Sequence, residues 1–155
     1  PQYRAPVKDT LFVLNEVIGL DRYANLPGFA NATPDMVEAV LTEAGRFCSE
    51  VLAPLNLVGD REGCTRHADG SVTTPTGFKA AYDAFVEAGW PLLTAPEEFG
   101  GQGMPHVLGM IMEEYLNGAN QAFAMYPGLT QGASAALLVK GSPEQQATYL
   151  PNMLS

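Results

Sequence analysis

Along most of this chain apolar residues recur at spacings of three and four, the period of a helix with one face turned to a core. Between residues 8 and 20 the stripe is Leu11, Leu14, Val17 and Ile18, with Asp9 or Thr10 placed to cap it. Residues 21–31 read as a loop around Pro27-Gly28. Thr33-Pro34 has the chemistry of an N-cap followed by the first helical position. Val37, Val40, Leu41, Ala44, Cys48, Val51 and Leu52 then form the stripe of a long helix that Pro54 kinks or ends. Residues 57–74 are the least regular; Asp69-Gly70 is a turn signal and Ser71-Val72-Thr73 suits a short extended piece. A helix over 76–88 carries Phe78, Ala81, Tyr82 and Phe85 on one face and stops at Gly89. A Pro/Gly-rich loop occupies 90–103, and Pro105 opens a helix through 116. Residues 120–140 form a further helix, kinked at Pro127 and ending at Gly141. It is apolar nearly all round, which predicts burial on several sides. Ser142-Pro143-Glu144-Gln145 is a capping box, and the last helix runs to about Leu150, before Pro151. The expected fold class is all-α, a helical bundle of about six helices with at most one short β element near Val72.

Composition narrows the function. The chain has 155 residues, 46% hydrophobic, and a formal charge of −9. Its eight dispersed Lys and Arg give no stripe for nucleic acid or an anionic membrane surface. No run of about 18 apolar residues exists, so no membrane span is expected. The opening Pro-Gln-Tyr-Arg-Ala-Pro has no apolar core of a signal peptide. Charged residues are 16%, where about 25% is usual, and Gly and Pro are over-represented at 16 and 12. So few ionic groups cover an isolated globule poorly. Part of the surface is therefore expected to face another domain or subunit, and the chain reads as a piece of something longer. Cys48 and Cys64 make no disulfide scaffold; reduced thiols and a cytoplasmic setting are the default.

Candidate chemistry is sparse. Cys48, Cys64, His67 and His106 lack the spacing of four converging metal ligands, so no metal is expected. Gly100-Gly101-Gln102-Gly103 resembles a phosphate loop. It follows two carboxylates, Glu97 and Glu98, and no Gly-Lys-Ser/Thr comes after it, so it reads as a tight turn needing positive φ. Glu113 and Glu114 are helix neighbours that splay apart by about 100°, one towards solvent and one towards a contact. Ser134 lacks the G-x-S-x-G turn of a hydrolase, and His67 and His106 stand alone in loop-like sequence. Asn31-Ala32-Thr33 fits a loop and helix cap better than a glycosylation site. Met104, Met110, Met112 and Met125, beside Phe123 and Tyr126, suit either ordinary core packing or an adaptable wall for a flexible apolar ligand.

One combination is more specific. Glu87-Ala88-Gly89-Trp90 is followed by Ala95-Pro96-Glu97-Glu98-Phe99-Gly100-Gly101-Gln102-Gly103, then by Glu113-Glu114. Gly141-Ser142-Pro143-Glu144-Gln145-Gln146 and Tyr149-Leu150-Pro151 come next. In order and spacing the chain resembles the N-terminal helical domain of the acyl-CoA dehydrogenases. Tyr3-Arg4-Ala5-Pro6 through Phe12-Val13-Leu14, Ala53-Pro54-Leu55-Asn56, Gly59-Asp60-Arg61-Glu62-Gly63 and residues 123–130 resemble the larger bacterial type of that family. The resemblance implies an N-terminal extension over 1–32 and the α-domain over 33–155. A middle β domain and a C-terminal helical domain would lie outside this chain. It further implies FAD in the parent enzyme, held mainly by those other domains and a neighbouring subunit. The implied reaction removes the α-proton of an acyl-CoA thioester by a carboxylate beyond residue 155 and passes the β-hydride to the flavin. An electron-transfer acceptor and a homo-oligomer are implied as well. No catalytic and no cofactor-binding residue is assigned to residues 1–155, and the chain alone is expected to be inactive and to bind no flavin.

The family's tail-lining helix falls on residues 123–130. That implies an acyl-pocket wall of Phe123, Met125, Tyr126, Gly128 and Leu129, with Gly128 at a floor position that is often bulky or acidic in shorter-chain relatives. Pro127-Gly128 would then leave space or simply bend the helix. Two other readings stay open: a non-enzymatic helical interaction module, and part of a flavin acyl-CoA oxidase.

Overall fold

A computed structural model describes residues 2–154. Among these, six α-helices carry the fold: α1 (Val7–Phe12), α2 (Pro34–Phe47), α3 (Ala53–Glu62), α4 (Phe78–Glu87), α5 (His106–Lys140) and α6 (Pro143–Met153). The sheet is one antiparallel ladder, β1 (Thr65–Arg66) on β2 (Val72–Thr73), in the place expected for a short extended piece. The fold is thus all-α, with α5 as its axis. The π-wound turn after α2, α3 and α2 itself pack against α5 from one side, and α6 folds back along its far end.

Local chemistry accounts for the helix ends. The Thr33 hydroxyl accepts from the Met36 amide ahead of Pro34. Ser142 and Gln145 form the reciprocal capping box, with bonds of 3.2 and 2.9 Å. Gly89, at φ +75°, supplies the left-handed residue after α4.

Four boundaries differ from those the sequence predicts. Residues 33–62 form one nearly continuous helical run. A π-helical turn, Cys48–Leu52, joins α2 to α3, and Pro54 sits directly after that turn, at the second position of α3. The irregular stretch therefore begins after Glu62 rather than near Leu57. At the front, α1 passes into a π-wound segment, Val13–Ile18. Only Leu14 of its stripe is fully buried, Val17 and Ile18 are exposed, and neither Asp9 nor Thr10 caps the helix. The last helix continues through Pro151 to Met153. Finally, the break in the long helix is at Asn120 (φ −159°, ψ +89°) and not at Pro127, which lies buried within helical backbone.

The main core gathers Leu41, Phe47 and Leu52 from the 34–62 run, Phe78 and Phe85 from α4, and Leu108, Tyr115, Leu116 and Phe123 from α5. The N-terminal segment belongs to it. Leu14 is buried there, the Tyr115 hydroxyl donates to Thr10 Oγ1 at 2.8 Å, and the Ala5 amide donates to Ser49 Oγ. A smaller cluster of Ala95, Leu150 and Leu154 joins α6 to the loop before α5. Removing a buried leucine leaves a cavity, while truncating an exposed valine does not. Leu41→Ala is therefore expected to cost about 3 kcal/mol and Val17→Ala under about 0.5 kcal/mol. Denaturant titration of both variants measures the contrast, and equal losses would contradict this packing.

Candidate functional site

The most distinctive surface is the second half of α5. No charged residue lies between Glu114 and Lys140. A stretch apolar nearly all round predicts burial on several sides, but this one is buried on one side only. Phe123, Ala124, Pro127 and Ser134 face inward. Met125 (66% exposed), Leu129 (83%) and Val139 (72%) face outward.

Phe123 sets which side is which. Its ring meets Phe85 edge-on at 5.8 Å between centroids and lies 6.0–6.4 Å from Tyr126, Tyr82 and Phe78. Aromatic pairs at these separations stabilise the contact beyond their buried area. With Phe123 anchored inward, Met125 and Leu129, two and six residues on, fall on the opposite face.

The five residues expected to form one wall are therefore divided. Phe123 belongs to the core. Met125, Gly128 and Leu129 share the bare outer surface. Tyr126, partly exposed, stands between the two and lines an open groove of about 880 Å³ with Val72, Pro75, Phe78 and Tyr82. Gly128 has helical backbone, and a Cβ added there would meet nothing within 4 Å. The glycine is thus required neither by backbone conformation nor by crowding inside this chain. Phe78 and Tyr82 were legible only as a helix face; their place beside Tyr126 is decided by the aromatic cluster.

The remaining candidates are structural or dispersed. In the glycine loop, Gly100 and Gly103 adopt φ of +85° and +61°. The amides of Gly101, Gln102 and Gly103 donate to the carbonyls of Pro96, Leu92 and Ala95. A Cβ at Gly101 would run into the Ala95 carbonyl. Amides already spent this way, next to exposed Glu97 and Glu98, do not fit a flavin pyrophosphate. Cys48 is buried and Cys64 exposed, His67 bonds Thr73 Oγ1 at 2.7 Å, and among the described residues no His/Cys/Asp/Glu group is arranged to hold a metal ion. No described helix is long and apolar enough to cross a membrane.

A cavity of about 230 Å³ between α5, α6 and the 90–95 segment brings together His106, Glu113, Gln131 and Ser134. Glu113 turns inward to Gln131 while Glu114 faces solvent, as helix geometry requires. Ser134 is 3% exposed and its hydroxyl has no hydrogen-bond partner, so no base activates it. Burial raises the Glu113 carboxyl above its ordinary value, and the Gln131 bond opposes this. The folded chain thus holds that proton more tightly than the unfolded chain. Its contribution to stability is fully present below about pH 4.5, the unfolded value, and is lost as pH rises through the raised folded value. Glu113→Gln is expected to flatten this part of the stability–pH curve and to raise stability at pH 7; thermal melts from pH 4 to 7 provide the test.

The domain model described as "Acyl-CoA dehydrogenase, N-terminal domain" matches residues 34–155. The chain belongs to the acyl-CoA dehydrogenase family. It is 40% identical over 153 residues to the 3-methylmercaptopropionyl-CoA dehydrogenase of Ruegeria pomeroyi, covering 99% of this chain and 26% of that protein. It is 32% identical over 145 residues to the broad-specificity linear acyl-CoA dehydrogenase FadE5 of Mycobacterium tuberculosis, covering 93% and 24%. A butyryl-CoA dehydrogenase of Syntrophomonas wolfei is 30% identical over 145 residues, covering 92% and 23%. The chain spans about a quarter of the length of these curated relatives.

Burial pushes the Cys48 thiol up to about 12, whereas Cys64 is in contact with solvent. A thiol-reactive dye should therefore label Cys64 quickly and Cys48 only on unfolding, since the thiolate is the nucleophile. Rapid labelling of both in the native 155-residue chain, read by peptide mapping, would contradict the packing around Cys48.

Proposed function

We propose that this chain supplies an apolar wall for the acyl tail in a longer, flavin-dependent acyl-CoA dehydrogenase that α,β-desaturates an acyl-CoA thioester. Residues 1–32 are the N-terminal extension and 33–155 the α-domain of that enzyme. A middle β domain and a C-terminal helical domain hold the FAD and contribute the base, and the chain alone is inactive. The parent is a cytoplasmic homo-oligomer that passes electrons to a separate acceptor. The observation that carries this reading is the uncharged outer stripe of α5, with open space above Gly128 between Met125 and Leu129. The substrate class is the one named in the curated relatives.

The contribution of such a wall is physical. Each acyl methylene taken out of water is worth about 0.8 kcal/mol. An apolar cover over the reacting thioester also excludes water and strengthens nearby polar interactions. Met125 suits this place because a flexible thioether adapts to different tails.

Gly128→Leu in the full-length enzyme would fill the space from outside without disturbing this chain's own packing. Expected is a loss in kcat/KM that grows with acyl length, roughly fourfold for each methylene denied burial. Equal losses on short and long substrates would argue against the wall.

A further inference from the structure

The two halves of α5 meet at one residue. Asn120 adopts extended backbone inside a 35-residue helical run. Glycine and proline, the usual causes of a break, are not responsible, since the helix passes through both Gly118 and Pro127. The Asn120 side chain is 1% exposed and uses both of its ends. Its Oδ1 accepts from the Phe123 amide at 3.1 Å, and its Nδ2 donates to the Leu52 carbonyl at 3.2 Å. The first bond is an N-cap on the third residue that follows, so the helix restarts here. The second ties that restart to the last residue of the π-wound turn, itself buried in the core.

We propose that Asn120 is a positioning residue for acyl-chain selection: its amide sets the direction in which the outer face of α5 is presented. This rests on the reading of Met125, Gly128 and Leu129 as part of the acyl wall. Gly128 lies eight residues beyond the break, about 12 Å along the axis at 1.5 Å per residue. A tilt of about 10° at Asn120 would move it by about 2 Å, enough to admit or exclude a methylene. A one-residue change in winding would turn the wall by about 100°. Only an uncharged amide meets both requirements. Ser keeps an acceptor for the Phe123 amide and lacks the reach to Leu52. Asp keeps the acceptor, loses the donor and buries a charge. Ala has neither group.

The test uses the full-length enzyme with flavin content normalised and straight-chain acyl-CoA substrates of increasing length. N120A is expected to change the ratio of kcat/KM between long and short substrates by about tenfold, mainly through KM. N120S should change it about threefold in the same direction. A merely structural role would lower the melting temperature, or reduce kcat on all substrates alike, and leave that ratio within twofold; this result overturns the proposal. If N120A does not accumulate, N120S decides by the same criterion. Gly128→Leu, assayed alongside, separates the two ideas. A shifted length profile in Gly128→Leu with none in either Asn120 variant removes the positioning role and leaves the wall standing. No shift in any of the three removes both.

Discussion

A buried amide at Asn120 governs how this chain divides its longest helix between core and surface. Before it, α5 contributes Leu108, Tyr115 and Leu116 to the interior; after it, the same helix turns an uncharged face outward. An amide this deeply buried would be costly if unpaired, by about 1–3 kcal/mol for each orphaned group. Here both ends are bonded, so burial confers direction rather than strain. Its partners come from distant places in the chain. The Leu52 carbonyl is 68 residues away, and the Phe123 amide leads directly into the aromatic cluster.

The low charge content has its explanation in the same place. The uncharged stretch between Glu114 and Lys140 was bound to be apolar somewhere, and the core absorbs only its inward side. A contiguous apolar face is unusual on a self-sufficient monomer and commonly marks a surface that something else covers. In the proposed reading this face is interior to a longer enzyme, and the chain spans about a quarter of its curated relatives.

Around that face the other conspicuous motifs do structural work. The Gly100–Gly103 segment uses its amides to close a loop, and Glu113 is turned into a cavity of the chain's own making. The proposed division of labour follows: this chain as wall, with flavin and base elsewhere in a longer polypeptide.

Much of this was determined by the sequence alone. The helical period, the Thr33 and Ser142 caps, the Gly89 stop and the short ladder are local, because each depends on residues within a turn or two of one another. The likeness of residues 87–151 to a known family was also legible, since motif order survives without coordinates. Tertiary structure decided the rest. Pro54 predicts an ending, yet a π-wound turn packed on α5 carries the helix past it. Residues 120–140 are apolar nearly all round, so their period defines no single inward face; the Phe123 ring, held among Phe78, Tyr82 and Phe85, chooses one. That choice separates Phe123 from Met125, Gly128 and Leu129. Asn120 reads in the sequence as the first residue of a further helix. Its role arises because folding brings the Leu52 carbonyl within 3.2 Å, and no local pattern encodes a hydrogen bond across 68 residues.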